Sequence, residues 1–156
     1  MQFLLSSATQ KGTVLYQTDI QGAYLQAHLD EDLFMEVPKV EPLYVDGKPP
    51  TCPKTGQRMV CKLQRGLYGL RQSGWAWAQC FKHFMMEDPT YNMGFTSMTG
   101  EPNLYHKKFT LNGNVEEIFV AQYVDDCLVA ASSDAARIWF TDLLAKRFPV
   151  NPKSSG

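Results

Sequence analysis

Residues 118–131 are Ile-Phe-Val-Ala-Gln-Tyr-Val-Asp-Asp-Cys-Leu-Val-Ala-Ala, and they contain an acidic pair, Asp125 and Asp126, between two apolar segments. Short apolar segments rich in β-branched and aromatic residues on both sides of a polar break are typical of a tight β-hairpin. Carboxylates at such a junction are costly to bury unless water or a cation neutralises them. The pattern therefore predicts a hairpin whose tip is either a solvated acidic turn or part of a cation site.

A third carboxylate, Asp19, ends another predicted strand, residues 13–19. If Asp19 folds beside the hairpin tip, three carboxylates converge there, and they repel one another unless a hard divalent cation such as Mg²⁺ is bound. Two such ions about 3.5–4 Å apart activate a hydroxyl and stabilise a departing pyrophosphate. The acidic residues thus favour phosphoryl or nucleotidyl transfer. A two-carboxylate hydrolase is an alternative, and it would show nuclease activity.

The remaining pattern predicts an α+β domain in which helices cover one face of an antiparallel sheet. Apolar spacing predicts a helix over residues 71–87, and Ser133 or Asp134 caps a last helix that ends near Phe148. Trp75 and Trp77 either pack in the first helix or stack on nucleic-acid bases. The other side chains expected on the buried helix faces are Ala78, Phe81, Phe84, Met85, Ile138, Leu143 and Leu144.

Two segments are expected to lie outside the packed core. Proline and glycine are dense over residues 39–60, which predicts an exposed loop excursion. Residues 149–156 are expected to form a disordered tail after the last helix.

Composition and charge narrow the class of protein. The chain has 156 residues, of which 44% are hydrophobic and 20% charged, so wholesale disorder is excluded. It lacks the run of about 18 apolar residues that a membrane helix needs, and its start does not resemble a secretory signal. The net charge is −1, yet residues 47–86 carry seven Lys and Arg and no Asp or Glu. That block predicts either a surface that faces a polyanion or a solvated basic face.

Three blocks of the sequence resemble copia-type retrotransposon reverse transcriptases, in order and at compatible spacing over residues 3–148. The first block, residues 19–26 together with 33–38, resembles that family's first catalytic motif, the second block its second motif, and the third its catalytic hairpin. They are residues 19–26 (Asp-Ile-Gln-Gly-Ala-Tyr-Leu-Gln), 33–38 (Leu-Phe-Met-Glu-Val-Pro), 61–73 (Cys-Lys-Leu-Gln-Arg-Gly-Leu-Tyr-Gly-Leu-Arg-Gln-Ser) with Trp77, and 123–126 (Tyr-Val-Asp-Asp).

The resemblance implies a reverse-transcriptase palm with part of the fingers over residues 1–148, and an RNA-directed DNA polymerase within a Pol polyprotein. Its implied partners are an RNA or DNA template with a primer, dNTP, and the thumb, ribonuclease H and integrase of that polyprotein, with no membrane. The implied location is a cytoplasmic virus-like particle or the nucleus. We expect the isolated fragment to be weakly active or inactive. The alternative is a non-catalytic remnant that only binds nucleic acid or a partner.

The resemblance also implies roles around the acidic residues. Asp19 and Asp125 would ligate two Mg²⁺ ions, for which Mn²⁺ can substitute, with help from the backbone carbonyl of Ile20. Asp126 would be a less direct third carboxylate. Tyr123 would approach the primer end or pack below it.

Five further residues receive roles in substrate binding from the same resemblance. Tyr24 would crowd the 2′ position of the nucleotide sugar and favour dNTP over rNTP; alternatively it is a core tyrosine. Arg71 and Gln72 would contact the nucleotide; alternatively they are only the exposed start of a helix. Lys62 and Arg65, in the basic block, would contact the primer or template.

Overall fold

The computed structural model describes residues 13–40 and 42–153, without the side chains of residues 152 and 153. Within these residues the chain forms eight strands and three helices. The strands are β1 (Val14–Ile20), β2 (His28–Glu36), β3 (Val60–Arg65), β4 (Thr96–Met98), β5 (Glu101–Leu111), β6 (Asn114–Tyr123), β7 (Asp126–Ala131) and β8 (Val150–Lys153). The helices are α1 (Ala23–Gln26), α2 (Arg71–Met86) and α3 (Asp134–Arg147).

Six strands form one antiparallel sheet in the order β4-β5-β6-β7-β1-β8. Strands β2 and β3 form a separate antiparallel pair, and the segment between them, residues 37–59, contains turns and two isolated bridges. This arrangement confirms the predicted α+β class. None of the described helices has the length and apolar character that crossing a bilayer requires.

The hairpins of the sheet follow from local sequence. Strands β5 and β6 are joined through Asn112 and Gly113, which both have positive φ, the pattern of a type I′ turn. Strands β6 and β7 pair from Ile118↔Ala131 to Tyr123↔Asp126 and form the predicted acidic hairpin. Strand β1 is far away in sequence and pairs with β7 on one side and β8 on the other, so it is an interior strand of the sheet.

One face of the sheet is covered by α2 and α3. Alternate residues of β6 are buried, as expected of a strand with one covered face. Aromatic rings join the helices to the sheet and to each other: the Phe81 ring lies 5.7 Å from that of Tyr105, and the Trp77 ring lies 5.2 Å from that of Phe148. Burying each large apolar side chain contributes on the order of 1.5–3 kcal/mol, so this face is the main stabilising core.

Two side chains predicted to be buried in helices are exposed instead. Trp75 is 60% exposed and Ile138 is 47% exposed. Each lies two positions from a fully covered residue of its helix, Trp77 or Phe140. Because two positions correspond to about 200° of rotation around an α-helix, a residue at that offset points to the opposite side. The spacing predicted both helices correctly, but Trp75 and Ile138 lie outside the buried faces of these helices.

The expected disordered tail is also wrong for residues 150–153. These residues form β8, which pairs antiparallel with β1 from Ile20↔Val150 to Gln17↔Lys153. The Gln21 N–H also donates to the Pro149 carbonyl, with a distance of 2.8 Å. Because the outer edge of β1 would otherwise expose unpaired backbone groups, the last described residues satisfy them. Residues 154–156 lie outside the described part of the chain.

Candidate active site

The acidic residues meet at one end of the central strands. The register sets Asp19 directly opposite Asp126, and Tyr123 opposite Asp126 on the other side. The Ile20 N–H donates to the Asp125 carbonyl at 2.8 Å. Directly opposite residues of antiparallel strands present their side chains on the same face, and here it is the face that the helices leave open. This confirms the prediction that Asp19 folds beside the hairpin tip.

The electrostatics of a buried thiol show the same convergence. Cys127 lies directly under the hairpin tip and is fully buried. Burial raises the pKa of the Cys127 thiol, and the negative charges of Asp126, Asp125 and Asp19 raise it further. One point beneath the sheet end therefore lies within the field of all three carboxylates. The Gln17 amide also donates to Asp126, with a distance of 3.3 Å from Nε2 to Oδ1.

The donor set suits a divalent cation in type and in backbone position. Mg²⁺ prefers carboxylate and carbonyl oxygens and keeps several waters, and the three aspartates are only half-buried, which leaves water access. In the described part of the chain, however, no three His, Cys, Asp or Glu side chains are close enough together to hold a metal ion. The backbone therefore brings the three aspartates to one end of the sheet. Their side chains would have to rotate before they could share an ion.

The hairpin turn itself has an unusual backbone. Val124 and Asp125 form a two-residue turn in which Val124 has φ +54°. Positive φ at the first central position is the pattern of a type II′ turn, which normally places Gly there. For a β-branched residue this conformation costs on the order of 1–3 kcal/mol and persists only when surrounding contacts impose it.

Two buried side chains supply those contacts. The Val124 carbonyl accepts a hydrogen bond from Trp77 Nε1 at 2.6 Å and another from Gln122 Nε2 at 3.0 Å. Trp77 is 1% exposed and Gln122 is 6% exposed. The helix-packing interpretation of Trp77 is thus correct but incomplete. Helical spacing predicted the packing of Trp77, but no sequence pattern indicated its hydrogen bond to the turn.

An aromatic pair lies beside the carboxylates. Tyr24, in α1, packs against the core, and its ring centroid is 4.8 Å from that of Tyr68. Tyr68 is 59% exposed. Partial desolvation raises the pKa of the Tyr68 hydroxyl, and the charge of Asp125 raises it further. No sequence pattern indicated that Tyr68 packs against Tyr24, so this contact is a finding of the structure.

A close backbone contact holds this pair together. The Gly66 N–H donates to the Ala27 carbonyl at 3.0 Å, and a Cβ at position 66 would lie 2.8 Å from the Tyr24 carbonyl oxygen. The Ser73 hydroxyl accepts a hydrogen bond from the Leu67 N–H at 2.9 Å and donates to the Leu67 carbonyl at 2.7 Å. Only glycine fits at position 66 without displacement, so the segments that carry the two tyrosines lie against each other.

The remaining predicted residues lie near α1, β3 and the start of α2. Arg71 is exposed at the first position of α2. The neighbouring Gln72 donates to Glu31, with a distance of 3.4 Å. The Arg65 guanidinium donates to the Leu25 carbonyl at 3.1 Å. Tyr123 is 75% exposed, on the face of the sheet that also carries Asp126.

The basic block is not a continuous basic surface. Strand β3 pairs with β2, which carries four acidic residues. Lys62 forms an ion pair with Asp32 at 2.5 Å, although both side chains are largely exposed. Charges that are separated along the sequence are therefore adjacent in space. The surface around β2 and β3 therefore carries both signs of charge.

A family model and several known proteins, all of them reverse transcriptases or transposon proteins, are similar to this chain. The family model described as reverse transcriptase (RNA-dependent DNA polymerase) matches residues 1–152. The chain is 34% identical over 147 residues to the retrovirus-related Pol polyprotein from transposon TNT 1-94 of Nicotiana tabacum, covering 94% of this chain and 10% of the relative. It is 27% identical over 150 residues to the retrovirus-related Pol polyprotein from transposon RE1 of Arabidopsis thaliana, covering 96% of this chain and 9% of the relative.

A yeast relative is also similar. The putative transposon Ty5-1 protein of Saccharomyces cerevisiae is 31% identical over 115 residues, which cover 74% of this chain and 31% of the relative. The chain spans about a tenth of the length of the two plant relatives. No solved structure matches it.

Proposed function

Since the chain belongs to the reverse transcriptase (RNA-dependent DNA polymerase) family, we propose that it is the palm, with part of the fingers, of an RNA-directed DNA polymerase in a copia-type Pol polyprotein. The observation that carries this proposal is the strand register that sets Asp19 opposite Asp126 at the acidic hairpin tip. A fold that only needed a solvated turn would not require a third carboxylate on the adjacent strand.

In this proposal Asp19 and Asp125, with the Ile20 carbonyl, would hold two Mg²⁺ ions, and Asp126 would act as a less direct third carboxylate. When bound, such ions supply charge neutralisation for the attack of a primer 3′-hydroxyl on the α-phosphate of a dNTP and for the departing pyrophosphate. The chain itself contributes the positions of the carboxylates on adjacent strands. The exposed ring of Tyr123, next to Asp126 in the register, is available for the primer end.

The tyrosine pair supports a role in selecting the nucleotide sugar. Tyr24 would crowd the 2′ position, so that a ribose hydroxyl would clash with the ring. Tyr68 packs against Tyr24 from the other segment. The contact with Tyr68 restricts rotation of the Tyr24 side chain. The pair would therefore hold the wall of the sugar pocket more rigidly than Tyr24 alone could.

Four further polar residues would contact the nucleotide or the nucleic acid. Arg71 and Gln72, at the start of α2, would contact the nucleotide, and Lys62 and Arg65 would contact primer or template phosphates. Because Lys62 is already paired with Asp32, its contribution would be smaller than that of an unpaired lysine. Phosphate-dominated binding of this kind weakens steeply with salt.

The relatives are much longer Pol polyproteins, and we propose that other parts of such a polyprotein supply the thumb, ribonuclease H and integrase. The template would be RNA or DNA with an annealed primer, in a cytoplasmic virus-like particle or the nucleus. We expect the isolated chain to extend a primer weakly or not at all.

The decisive experiment measures metal binding, which does not require a thumb. Calorimetric titration of the chain with Mn²⁺ should give saturable binding. Asp125→Asn should weaken it at least about tenfold, equivalent to about 1.4 kcal/mol. Asp142→Asn is the matched control, because Asp142 is an exposed aspartate of α3, and it should bind as wild type does.

Equal binding by wild type and Asp125→Asn would favour the alternative of a non-catalytic remnant. Cleavage of nucleic acid without extension of a primed RNA template would favour the hydrolase alternative. Metal-dependent incorporation of dTTP on a poly(rA) template with an oligo(dT) primer, lost in Asp125→Asn, would establish the polymerase directly.

A further inference from the structure

We propose that Trp77 and Gln122 are positioning residues that hold the acidic hairpin turn in its metal-binding conformation through the Val124 carbonyl. The inference rests on the proposed function, because it assigns to two buried side chains a role toward the metal site. Each side chain donates a hydrogen bond to the backbone of the turn. Their effect would pass through a single backbone oxygen.

The first argument is the convergence of two donors on one acceptor. The Val124 carbonyl receives the Trp77 indole N–H at 2.6 Å and the Gln122 amide at 3.0 Å. The Val124 carbonyl and the Asp125 N–H belong to the same planar peptide unit. Two hydrogen bonds fill both lone pairs of a carbonyl oxygen, and they therefore set the orientation of the peptide plane from which Asp125 projects.

The second argument is the strain of the turn. Val124 has φ +54°, which a β-branched residue avoids unless its surroundings require it. Gln122 lies on the same hairpin, so its hydrogen bond could persist if the whole hairpin tip moved. Trp77 lies 47 residues away in sequence, on α2. Its bond therefore ties the turn to the helical layer rather than to the hairpin alone.

The third argument is that packing alone does not explain an indole at this position. Trp77 contacts the rings of Phe81 and Phe148, with centroid distances of 5.7 Å and 5.2 Å. A phenylalanine could make similar ring contacts without bringing a polar group into the core. A buried indole N–H needs an acceptor, and here the acceptor is the residue just before the catalytic pair.

Release of the carbonyl should let Val124 relax toward negative φ. That relaxation rotates the peptide between Val124 and Asp125, so Asp125 would leave the backbone position beside β1 that it holds now. The expected defect is therefore in the conformation of the turn and in metal affinity, and it should exceed any change in the rest of the fold.

The test uses the 156-residue chain with Trp77→Phe, Gln122→Met and the control Trp75→Phe. Trp75 lies on the same helix but is 60% exposed. Gln122→Met keeps a side chain of similar length without the amide donor, so it decides the question if Trp77→Phe does not fold. Thermal unfolding and the indole signal of Trp139 report whether each variant is folded.

The first readout is NMR without metal. In ¹⁵N-labelled wild type, the Trp77 indole N–H should exchange with solvent far more slowly than that of Trp75. Both test variants should shift the amide signals of residues 124–126, while Trp75→Phe leaves them in place. An unprotected Trp77 indole, or unshifted turn amides in both test variants, would overturn the proposal.

The second readout is the Kd for Mn²⁺ by electron paramagnetic resonance. Each test variant should raise the Kd fivefold or more, and Trp75→Phe should not change it. If wild type binds Mn²⁺ and both folded test variants bind equally well, the positioning role is wrong while the metal site stands. If wild type binds no Mn²⁺, the proposed function fails and the positioning role with it.

Discussion

At the scale of single residues, the candidate active site combines strained backbone with half-buried charge. Val124 adopts positive φ in the turn, and its neighbour Asp125 is half-buried beside Asp19 and Asp126. Strain and charge are both costs to folding, and chains retain them at places where function depends on them. The supporting groups, Trp77 and Gln122, are buried and hydrogen-bonded.

Tyr24 provides a prediction at this scale. In the presence of Mn²⁺, the chain should bind dATP more tightly than ATP. Tyr24→Ala should narrow the difference at least about tenfold, because removing the ring opens the space at the 2′ position. Tyr24→Phe keeps the ring and should keep the preference. Competition against a fluorescent nucleotide measures all six affinities, and an unchanged preference in Tyr24→Ala would remove this residue from sugar selection.

At the scale of elements, the arrangement depends on how tightly the segments around the site approach each other. The loop before α2 lies against α1, with Gly66 against the Tyr24 backbone. Strand β1 lies between β7 and β8. The first contact positions the tyrosine pair, and the second fixes the position of Asp19. Both are backbone contacts. Substitutions that push these segments apart should therefore lower the stability of the chain more than other substitutions do.

Substitutions at two glycines test this idea, because they should change the free energy of unfolding in opposite directions. Gly66→Ala should destabilise the chain by about 1–3 kcal/mol, because its Cβ would overlap the Tyr24 carbonyl and the Ser73 hydroxyl. Gly74→Ala should stabilise it by about 0.5–1 kcal/mol, since Gly74 lies inside α2 and its nearest neighbour is the Tyr24 hydroxyl at 3.9 Å. Urea unfolding measures both. Equal effects of the two substitutions would contradict the close approach at position 66.

At the scale of the whole molecule, the helical layer holds the sheet through aromatic side chains. Tyr105 on β5 is 1% exposed and contacts Phe81 of α2. Its burial raises the pKa of the Tyr105 hydroxyl to about 12, from an ordinary value of 10.0. The folded state therefore holds this proton more tightly than the unfolded state does.

This shift predicts a loss of stability in alkali. The contribution of Tyr105 is complete below pH 10, and it is lost as the pH rises from 10 toward 12, because the unfolded chain ionises first. The expected loss is about 2–3 kcal/mol. Urea unfolding of wild type and Tyr105→Phe between pH 9 and 12 isolates the effect, because Cys127 and Lys107 titrate in both proteins. Parallel pH profiles for the two proteins would contradict it.

Local patterns were sufficient for much of the architecture. Apolar spacing predicted a helix over 71–87 and the structure has Arg71–Met86; Ser133 caps α3 as predicted, accepting from the Ala136 N–H at 3.1 Å. The acidic hairpin was also predicted correctly. Such features depend on residues close together in the sequence, whose periodicity and capping groups are visible without coordinates.

The sequence by itself thus determined the hairpin, the long helices, the family resemblance and the choice of Asp19, Asp125 and Asp126 as candidates. Only the tertiary structure decided that Trp77 donates to the turn, that Tyr68 lies against Tyr24, and that the acidic strand β2 lies beside the basic strand β3. These contacts join residues 24 to 47 positions apart in the sequence. Their partners are selected by how whole elements pack, and no local spacing of residue types encodes that choice.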